Sequence, residues 1–311
     1  MYMEILLQFG LLVVGFFMLG KGADWFVEGA ASIATRFGIP QLVIGLTIVA
    51  MGTSTPEAAV SLAAALKGSA DITIGNVVGS NILNILIILG ISAAITRLKV
   101  AKSTIKIEIP FMIAVTALLY VQGLDGVVTL MDGALLAAVF GAYLFYLYIF
   151  TKQADPVEES EEVAGFPIGQ ALLWTVAGLA LIVAGSEVTV GAATEIAHYA
   201  GLSERFIGLT IVALGTSLPE LFTSVAAARK GNADIAIGNI VGSNIFNILF
   251  VVGASALITP VAFAKAFEFD MWVALGSSFA LLLFIIPTKA LEKWGGYAML
   301  LSYAAYLWYI L

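Results

Sequence analysis

The stretch IGLTIVAMGTSTPE at residues 44–57 decides the fold, because it returns almost unchanged as IGLTIVALGTSLPE at residues 207–220. The match extends without gaps over residues 44–96 and 207–259, at an offset of 163 and with 37 identities in 53 positions. Two unrelated apolar helices would not match Gly, Pro, Asn, Ser and Glu column by column. The chain therefore contains an internal duplication, and each copy is interpreted as half of the molecule.

The composition points to lipid as the solvent. The 311 residues are 61% hydrophobic and 11% charged, whereas soluble domains are about 45–50% apolar and about 25% charged. The net charge of −7 excludes nucleic acid as a partner, since such binding needs a basic face. No cysteine is present, which excludes disulfides and thiolate metal sites. The lipid bilayer is the predicted partner, and no cofactor or obligate protein partner is inferred.

The predicted fold class is an all-α polytopic membrane protein with ten transmembrane helices. A spanning helix needs about 20 mostly apolar residues. The segments that qualify are 4–30, 41–66, 72–96, 105–122, 127–151, 167–197, 204–229, 235–258, 269–287 and 293–311.

A polar stretch at residues 152–165 divides these segments into two groups of five. The predicted units are residues 1–151, a cytoplasmic linker at 152–165, and residues 166–311. With an odd number of spans in each half, the two copies enter the membrane in opposite directions. Inverted repeats of this kind are typical of transporters whose site lies near the bilayer midplane between the repeats.

The distribution of Lys and Arg predicts the orientation. Ten of them fall on one side of the predicted membrane and only three, Lys67, Arg205 and Lys265, on the other. The side with more positive charge is expected to face the cytoplasm. The prediction is a multi-pass protein of the cell membrane with both termini outside the cytoplasm.

Glu57 and Glu220 occupy matched positions in the middle of their predicted spans. An ionised carboxylate at this depth costs at least about 2.5 kcal/mol, and no Lys or Arg lies at the same depth to pair with it. The two carboxylates are therefore predicted to bind a cation or a proton. Asp24 and Glu187 match at the same offset, near the ends of their spans. They are interpreted as interfacial carboxylates, with an ion entry path as the alternative.

The residues before each glutamate supply further oxygen atoms. Pro56 and Pro219 lack an amide hydrogen, so each deprives a carbonyl of the preceding turn of its helical donor. The carbonyls of residues 50–53 are therefore expected to turn toward a ligand, as in the broken helices of transporters. Hard cations take oxygen ligands only. The hydroxyl groups expected to complete that set are those of Thr53, Ser54, Thr216 and Ser217.

A second polar segment, GNVVGSNILN at residues 75–84, is repeated as GNIVGSNIFN at 238–247. Asn76, Ser80 and Asn84 are spaced to share one helix face. Ser80, Asn84, Ser243 and Asn247 are predicted to line the site, with interhelical hydrogen bonding as the alternative. That alternative is the preferred interpretation of Asn81 and Asn244.

The paired GTS-x-PE and GN-x-x-GSN-x-x-N motifs resemble those of the sodium/calcium exchanger family, within the calcium/cation antiporters. The resemblance covers the whole chain, and the short linker is similar to that of a compact prokaryotic member. It implies that Glu57 and Glu220 bind Ca²⁺ with the backbone carbonyls of Thr53 and Thr216. It further implies that Na⁺ uses overlapping positions: the carbonyls of Ala50 and Ala213, the side chains of Ser54, Ser217, Ser80 and Ser243, and Asn84 and Asn247 at the centre.

The implied function is Na⁺/Ca²⁺ antiport in which the first and sixth helices slide across the other eight. Some relatives, including the potassium-dependent branch, carry Asp where this chain has Asn247, so potassium dependence is not expected. Cation/proton antiport is the alternative within transport, and a passive cation channel is the alternative from a different class. An intramembrane enzyme is not expected, because the symmetric setting of the two glutamates provides no distinct acid and base.

Overall fold

The computed structural model describes residues 2–68, 70–153, 166–200 and 213–310. Most of the predicted linker lies outside the described residues, as do Arg205 and residues 204–212 of the predicted seventh span. Between these gaps the chain is almost entirely helical. The α-helices are α1 Tyr2–Phe37, α2 Gln41–Ile44, α3 Ala50–Thr53, α4 Thr55–Leu66, α5 Asp71–Leu83, α6 Gly90–Ile95, α7 Ile109–Gln122, α8 Leu130–Gln153, α9 Ile168–Tyr199, α10 Ala213–Thr216, α11 Leu218–Arg229, α12 Ala233–Phe246, α13 Gly253–Ile258, α14 Phe267–Ile285 and α15 Lys293–Ile310.

Within the described ranges, four wider, π-helical segments continue or precede these helices. They cover Gly45–Val49, Asn84–Leu89, Thr104–Glu108 and Asn247–Val252. The chain from α5 to α6 is thus one continuous helical span, and so is the chain from α12 to α13.

In the described part of the chain, seven helices are long and apolar enough to cross a membrane, and the bent pair Gln41–Thr53 and Thr55–Leu66 adds an eighth candidate. The predicted boundaries differ most from the structure at two places. The first helix continues to Phe37 rather than ending at residue 30, and residues 127–128 form a strand rather than the start of a helix.

The spans that contain the GN-x-x-GSN motifs form the centre of the molecule. In the most apolar 18-residue window of each span, the buried share of residues is 72% for the span 72–95 and 94% for the span 233–258, against 17% for α1. Large apolar side chains on α1, such as Phe9, Val13 and Phe17, are exposed, as expected for a surface that faces lipid. The motif at residues 238–247 is therefore buried throughout, whereas Gly75, Asn76 and Gly79 of the first motif are partly exposed.

Helices α1 and α9, the two longest, pack against each other outside this centre. Small residues make the close approach possible. A Cβ atom added at Gly178 would lie 2.5 Å from the backbone nitrogen of Phe26, and one added at Gly22 would lie 2.9 Å from the carbonyl oxygen of Gly178. The two helices thus form a tightly packed pair.

Four two-residue strands in the described part of the chain, which the sequence did not predict, connect the two halves. β1 (Leu98–Lys99) pairs antiparallel with β4 (Ala290–Leu291), and β2 (Val127–Val128) pairs antiparallel with β3 (Val261–Ala262). Adding 163 to the numbers of β1 and β2 gives those of β3 and β4. Each small sheet therefore joins one half to the other, and the two sheets are equivalent by the repeat.

Candidate cation-binding site

Each GTS-x-PE motif forms a break between two short helices. Ser54 separates α3 from α4 with φ −82° and ψ 11°, and Ser217 separates α10 from α11 with φ −89° and ψ 4°. At the first break, the axis of the helical stretch Gln41–Thr53 differs by 50° from the axis of Thr55–Leu66. Proline is tolerated in the first turn of a helix, where its missing amide hydrogen has no partner to lose. Pro56 and Pro219 occupy that position, so α4 and α11 begin at the centre of the molecule and direct their positive ends at the site.

Glu57 and Glu220 lie in the first turns of these helices, and each is only 1% exposed. Each carboxylate accepts a hydrogen bond from the serine of the opposite half. The Ser54 hydroxyl donates to Oε1 of Glu220 at 2.7 Å, and the Ser217 hydroxyl donates to Oε1 of Glu57 at 3.3 Å. The two motifs, far apart in the sequence, thus meet in one site.

The second oxygen of each carboxylate has no hydrogen-bond donor. Within the described part of the chain, Oε2 of Glu57 and Oε2 of Glu220 are buried and accept no hydrogen bond, and neither glutamate takes part in a salt bridge there. A buried charge without a partner is costly. These two oxygen atoms are therefore available to a ligand.

Four asparagines form a reciprocal network beside the glutamates. The Nδ2 groups of Asn81 and Asn244 each donate to the backbone carbonyl of the other, both at 3.2 Å. Nδ2 of Asn84 donates to Oδ1 of Asn244 at 2.9 Å, and Nδ2 of Asn247 donates to Oδ1 of Asn81 at 3.1 Å. Interhelical hydrogen bonding by Asn81 and Asn244 is thereby confirmed.

This network fixes the direction of the amide oxygens. Because a backbone carbonyl only accepts, Asn81 and Asn244 must direct their NH₂ groups at it, and their own oxygens then require NH₂ groups from Asn84 and Asn247. Oδ1 of Asn84 and Oδ1 of Asn247 consequently point away from the network. Both are buried and without a hydrogen-bond donor among the described residues.

The sequence did not predict the π-helical turns, which begin at Asn84 and Asn247. A π-helical insertion widens the helix locally and is frequent at functional sites. The runs NILIIL and NILFVV contain neither Gly nor Pro, so no sequence signal marked them. The widening occurs at the asparagines whose oxygens are unpaired.

The other residues that the sequence predicted for the site lie near the two helix breaks, and each makes a different contact. The hydroxyl of Ser80 lies 3.4 Å from that of Ser217, and Ser243 donates to the Ala50 carbonyl at 3.3 Å. Thr53 donates to Oδ1 of Asn239 at 3.0 Å. Thr216 ends α10 beside the break, and Ala213 begins that helix, although its side chain is not among those described.

The backbone carbonyl of Ala50 is not free in this structure. It accepts the backbone amide of Ser54 at 3.0 Å, as well as the hydroxyls of Thr53 and Ser243, both at 3.3 Å. In this conformation the Ala50 carbonyl is therefore occupied by protein donors, which the sequence did not predict. The Ser54 amide donates to Ala50 as in a regular helix, so the helical hydrogen bonds continue up to the break. The amide hydrogen that Pro56 lacks therefore does not affect the Ala50 carbonyl.

Asn76 and Asn239 have a positioning role that was not predicted. Asn76 donates to the Glu57 carbonyl at 3.1 Å, and Asn239 donates to the Glu220 carbonyl at 3.4 Å. Each also donates to a serine one turn further along, Ser61 or Ser224, at 2.9 Å. The equal spacing of Glu57 to Asn76 and of Glu220 to Asn239 was the available signal. These amides hold the glutamate-bearing turns in place.

The site therefore presents oxygen atoms only. Glu57 and Glu220 each contribute a buried, unpaired carboxylate oxygen, and Asn84 and Asn247 each contribute an unpaired amide oxygen. The described residues contain no group of three or more His, Cys, Asp or Glu placed to hold a metal ion. Two carboxylates with neutral oxygens suit a hard cation.

A buried oxygen site between broken helices, in an all-helical polytopic membrane fold, defines the class of membrane ion transporters. Comparison with known proteins names the family. A model described as "Sodium/calcium exchanger protein" matches residues 7–149 and 170–311. The chain belongs to the sodium/calcium exchanger family, as its motifs predicted.

Individual relatives agree with this assignment. The chain is 40% identical to the inner membrane protein YrbG of Escherichia coli strain K12 over 82% of this chain and 81% of that protein. It is 32% identical to the sodium/calcium exchanger MaX1 of Methanosarcina acetivorans over 97% of this chain and 98% of that protein. A solved structure of the sodium-calcium exchanger NCX_Mj, soaked with 2.5 mM Na⁺ and 10 mM Sr²⁺, superimposes with a TM-score of 0.86 at 33% identity, over 97% of this chain and 98% of that one. The chain is a compact prokaryotic member of the family.

Proposed function

We propose that this chain exchanges Na⁺ for Ca²⁺ across the cell membrane, binding the ions in turn at the site between its two halves. One observation carries the proposal. Four buried oxygen atoms, on Glu57, Glu220, Asn84 and Asn247, accept no hydrogen bond from the described residues. Two of them belong to carboxylates, whose charge balances one Ca²⁺ or two Na⁺. Family membership supports this choice of ions.

The proposed ligands comprise the side chains and backbone carbonyls around these oxygens. Glu57 and Glu220 bind Ca²⁺ together with the carbonyls of Thr53 and Thr216. Na⁺ occupies overlapping positions, so the two ions exclude each other and transport becomes an exchange. The complete proposed set is Glu57, Glu220, Thr53, Thr216, Ser54, Ser217, Ala50, Ala213, Ser80, Ser243, Asn84 and Asn247.

The proposed architecture is ten transmembrane helices in two inverted repeats, residues 1–151 and 166–311, joined by a linker at 152–165. The contacts that cross between the halves support it. Asn81 and Asn244 are related by the offset of 163 and exchange identical hydrogen bonds. The strand pairs β1–β4 and β2–β3 convert into each other at the same offset. Such reciprocity supports an approximate two-fold axis through the site.

The proposed orientation has both termini outside the cytoplasm, because most of the Lys and Arg residues then lie inside. The Na⁺ gradient sets the direction of the proposed exchange: Na⁺ that enters down its gradient drives Ca²⁺ out. The proposed alternating access makes the site open to one membrane face at a time.

A flux experiment on the purified protein tests the function. Proteoliposomes loaded with Na⁺ are diluted into Na⁺-free medium that contains radiolabelled Ca²⁺, and Ca²⁺ uptake is followed. We expect uptake that requires the outward Na⁺ gradient and stops when Na⁺ is equal on both sides. Uptake driven by an imposed pH gradient and indifferent to Na⁺ would indicate cation/proton antiport. Ca²⁺ current without any counter-ion, far faster than a carrier cycle, would indicate a channel.

A further inference from the structure

An ion pair joins α1 to the end of α11. Lys230, which follows α11, has its Nζ 3.2 Å from Oδ1 of Asp24 and also donates to the carboxylate of Glu28, both on α1. The same Nζ lies 3.3 Å from the backbone carbonyl of Asp24. The pair borders a cavity of about 410 Å³ between the two helices. Lys230 thus connects the α1–α9 pair to the helix that carries Glu220.

The repeat predicts a second such pair. At the offset of 163, Asp24 corresponds to Glu187 on α9, and Lys230 corresponds to Lys67 at the end of α4. Both residues of this second pair are exposed, and neither takes part in a salt bridge among the described residues. The equivalent ion pair, between Lys67 and Glu187, is therefore not formed in this conformation.

Helix packing has the same asymmetry. α1 packs along α11, and the ring of Phe16 lies 6.1 Å from the ring of Phe222. The equivalent helices, α9 and α4, make no comparable contact in the described structure. One end of the α1–α9 pair is therefore closed against the central helices, while the other end is not.

We propose that Lys230 with Asp24 and Glu28 forms a latch for one access state, and that Lys67 with Glu187 forms the equivalent latch for the other. The proposal rests on alternating access by inverted repeats, in which exchanging the conformations of the two halves produces the opposite state. Five spans separate Lys67 from Lys230, so the latches act at opposite membrane faces. An ion pair present in only one state stabilises that state alone. Each latch therefore raises the population of the state in which its own face is closed.

The single variants have opposite expected effects. Lys230→Gln depopulates the state that is closed at the Lys230 face, so the site opens to that face more often. The apparent KM for Ca²⁺ should fall at the Lys230 face and rise at the opposite face, because apparent affinity scales with the population of the competent state. Lys67→Gln should do the reverse. We expect shifts of about two- to fivefold, the range that partly exposed ion pairs reach.

The measurement uses proteoliposomes of both orientations, with Ca²⁺ uptake titrated at each face. Arg97→Gln is the matched control, since it removes the ion pair with Glu292 at 2.7 Å without touching α1 or α9, and its KM should be unchanged at both faces. Exchanging the charges of all three members, in Asp24→Lys and Glu28→Lys with Lys230→Glu, should restore the wild-type values. The proposal is overturned if Lys230→Gln and Lys67→Gln shift KM in the same direction, or if neither shifts it.

Cross-linking separates this proposal from the transport function. Because the chain has no cysteine, a variant with Asp24→Cys, Lys230→Cys, Lys67→Cys and Glu187→Cys contains only the four introduced thiols. With a short bifunctional thiol reagent, each molecule should be linked at one latch or at the other. Molecules linked at both would refute the latches even if Na⁺/Ca²⁺ exchange is intact. If the links are mutually exclusive but the protein does not exchange Na⁺ for Ca²⁺, the latch proposal is supported. The proposed function is then refuted.

Discussion

The centre of the molecule and its two ends follow the internal repeat to different degrees. At the centre, contacts occur in equivalent pairs: Ser54 with Glu220 and Ser217 with Glu57 at 2.7 and 3.3 Å. At the ends, Lys230 bonds to Asp24 and Glu28, whereas the equivalent Lys67 and Glu187 are exposed and form no salt bridge in the described structure. The Ser–Glu contacts are thus repeated in both halves, whereas the ion pair that joins α1 to α11 has no counterpart between α9 and α4 in the described residues. In the proposed exchange, this difference would let a shared site be closed from one membrane face at a time.

The largest expected effect follows from removing one of the two equivalent charges. Glu57→Gln and Glu220→Gln each keep an acceptor for the opposing serine but leave only one carboxylate to balance the cation. We expect each variant to lower Na⁺-driven Ca²⁺ uptake at least about a hundredfold, equivalent to about 2.7 kcal/mol. Uptake of radiolabelled Ca²⁺ into Na⁺-loaded proteoliposomes measures it.

Glu108→Gln is the matched control for these two variants. Glu108 is also buried, at 1% exposure, and accepts a hydrogen bond from Tyr146 at 2.6 Å, away from the site. Glutamine can accept the same bond, so uptake should stay within about twofold of wild type, as for substitutions outside such features. Full activity in either site variant would contradict the assignment, and loss in only one of them would disprove the equivalence of the two glutamates.

Ca²⁺ should stabilise the folded protein, because a ligand that binds only the folded state shifts the unfolding equilibrium. At a free Ca²⁺ concentration one hundred times its Kd, the gain is about 2.7 kcal/mol. Thermal unfolding of the detergent-solubilised protein should show a higher Tm with Ca²⁺, and Na⁺ should diminish that increase by competition. Glu57→Gln and Glu220→Gln should lose the increase while Glu108→Gln keeps it. An equal increase in all three would place Ca²⁺ elsewhere.

The packing of α1 on α9 should depend on single glycines. In Gly178→Ala the new Cβ would lie 2.5 Å from the backbone nitrogen of Phe26, whereas at Gly191 on the same helix nothing lies within 4 Å. We expect Gly178→Ala to lower the free energy of unfolding by about 1–3 kcal/mol. Gly191→Ala, the matched control, should be neutral or stabilising by up to about 1 kcal/mol. Tm in detergent measures both, and equal values would show that the α1–α9 contact is loose.

The smallest expected effect concerns the inequality between the two serine contacts. Ser54 donates to Glu220 at 2.7 Å, a shorter bond than that from Ser217 to Glu57 at 3.3 Å, and short bonds to charged groups are the stronger ones. We expect Ser54→Ala to reduce exchange about tenfold and Ser217→Ala about threefold. Ser92→Ala, which removes a buried hydroxyl with no described partner, should leave exchange unchanged. A larger loss of exchange in Ser217→Ala than in Ser54→Ala would contradict this prediction.

The sequence predicted the parts of the site that depend on the duplication. Matched columns placed Glu57 and Glu220 at equal depth, and the spacing of Asn81 and Asn244 favoured the interhelical bonds that the structure contains. The helix breaks at Ser54 and Ser217 agree with the expected effect of the following prolines. Residue type and position along a helix suffice for such inferences, because the same pattern occurs twice.

Features that depend on partners distant in sequence were not predictable. The π-helical turns at Asn84 and Asn247 lie in apolar runs without Gly or Pro. The Ala50 carbonyl is occupied partly by Ser243, which is 193 residues away. Lys230 meets Asp24 and Glu28 only because α1 packs on α11. In each case the decisive neighbour belongs to the other half, and no local pattern identifies it.

The paired strands also constrain how the protein is made. β1 finds its hydrogen-bonding partner only at Ala290–Leu291, and β2 finds its partner only at Val261–Ala262. Since synthesis proceeds from the N-terminus, the first half inserts while Glu57 and Asn84 still lack the residues that surround them in the finished fold. Contacts between such distant segments form late and expose intermediates for longer. The ribosome must therefore complete nearly the whole chain before either small sheet can form, so the final steps of folding need both copies of the duplication.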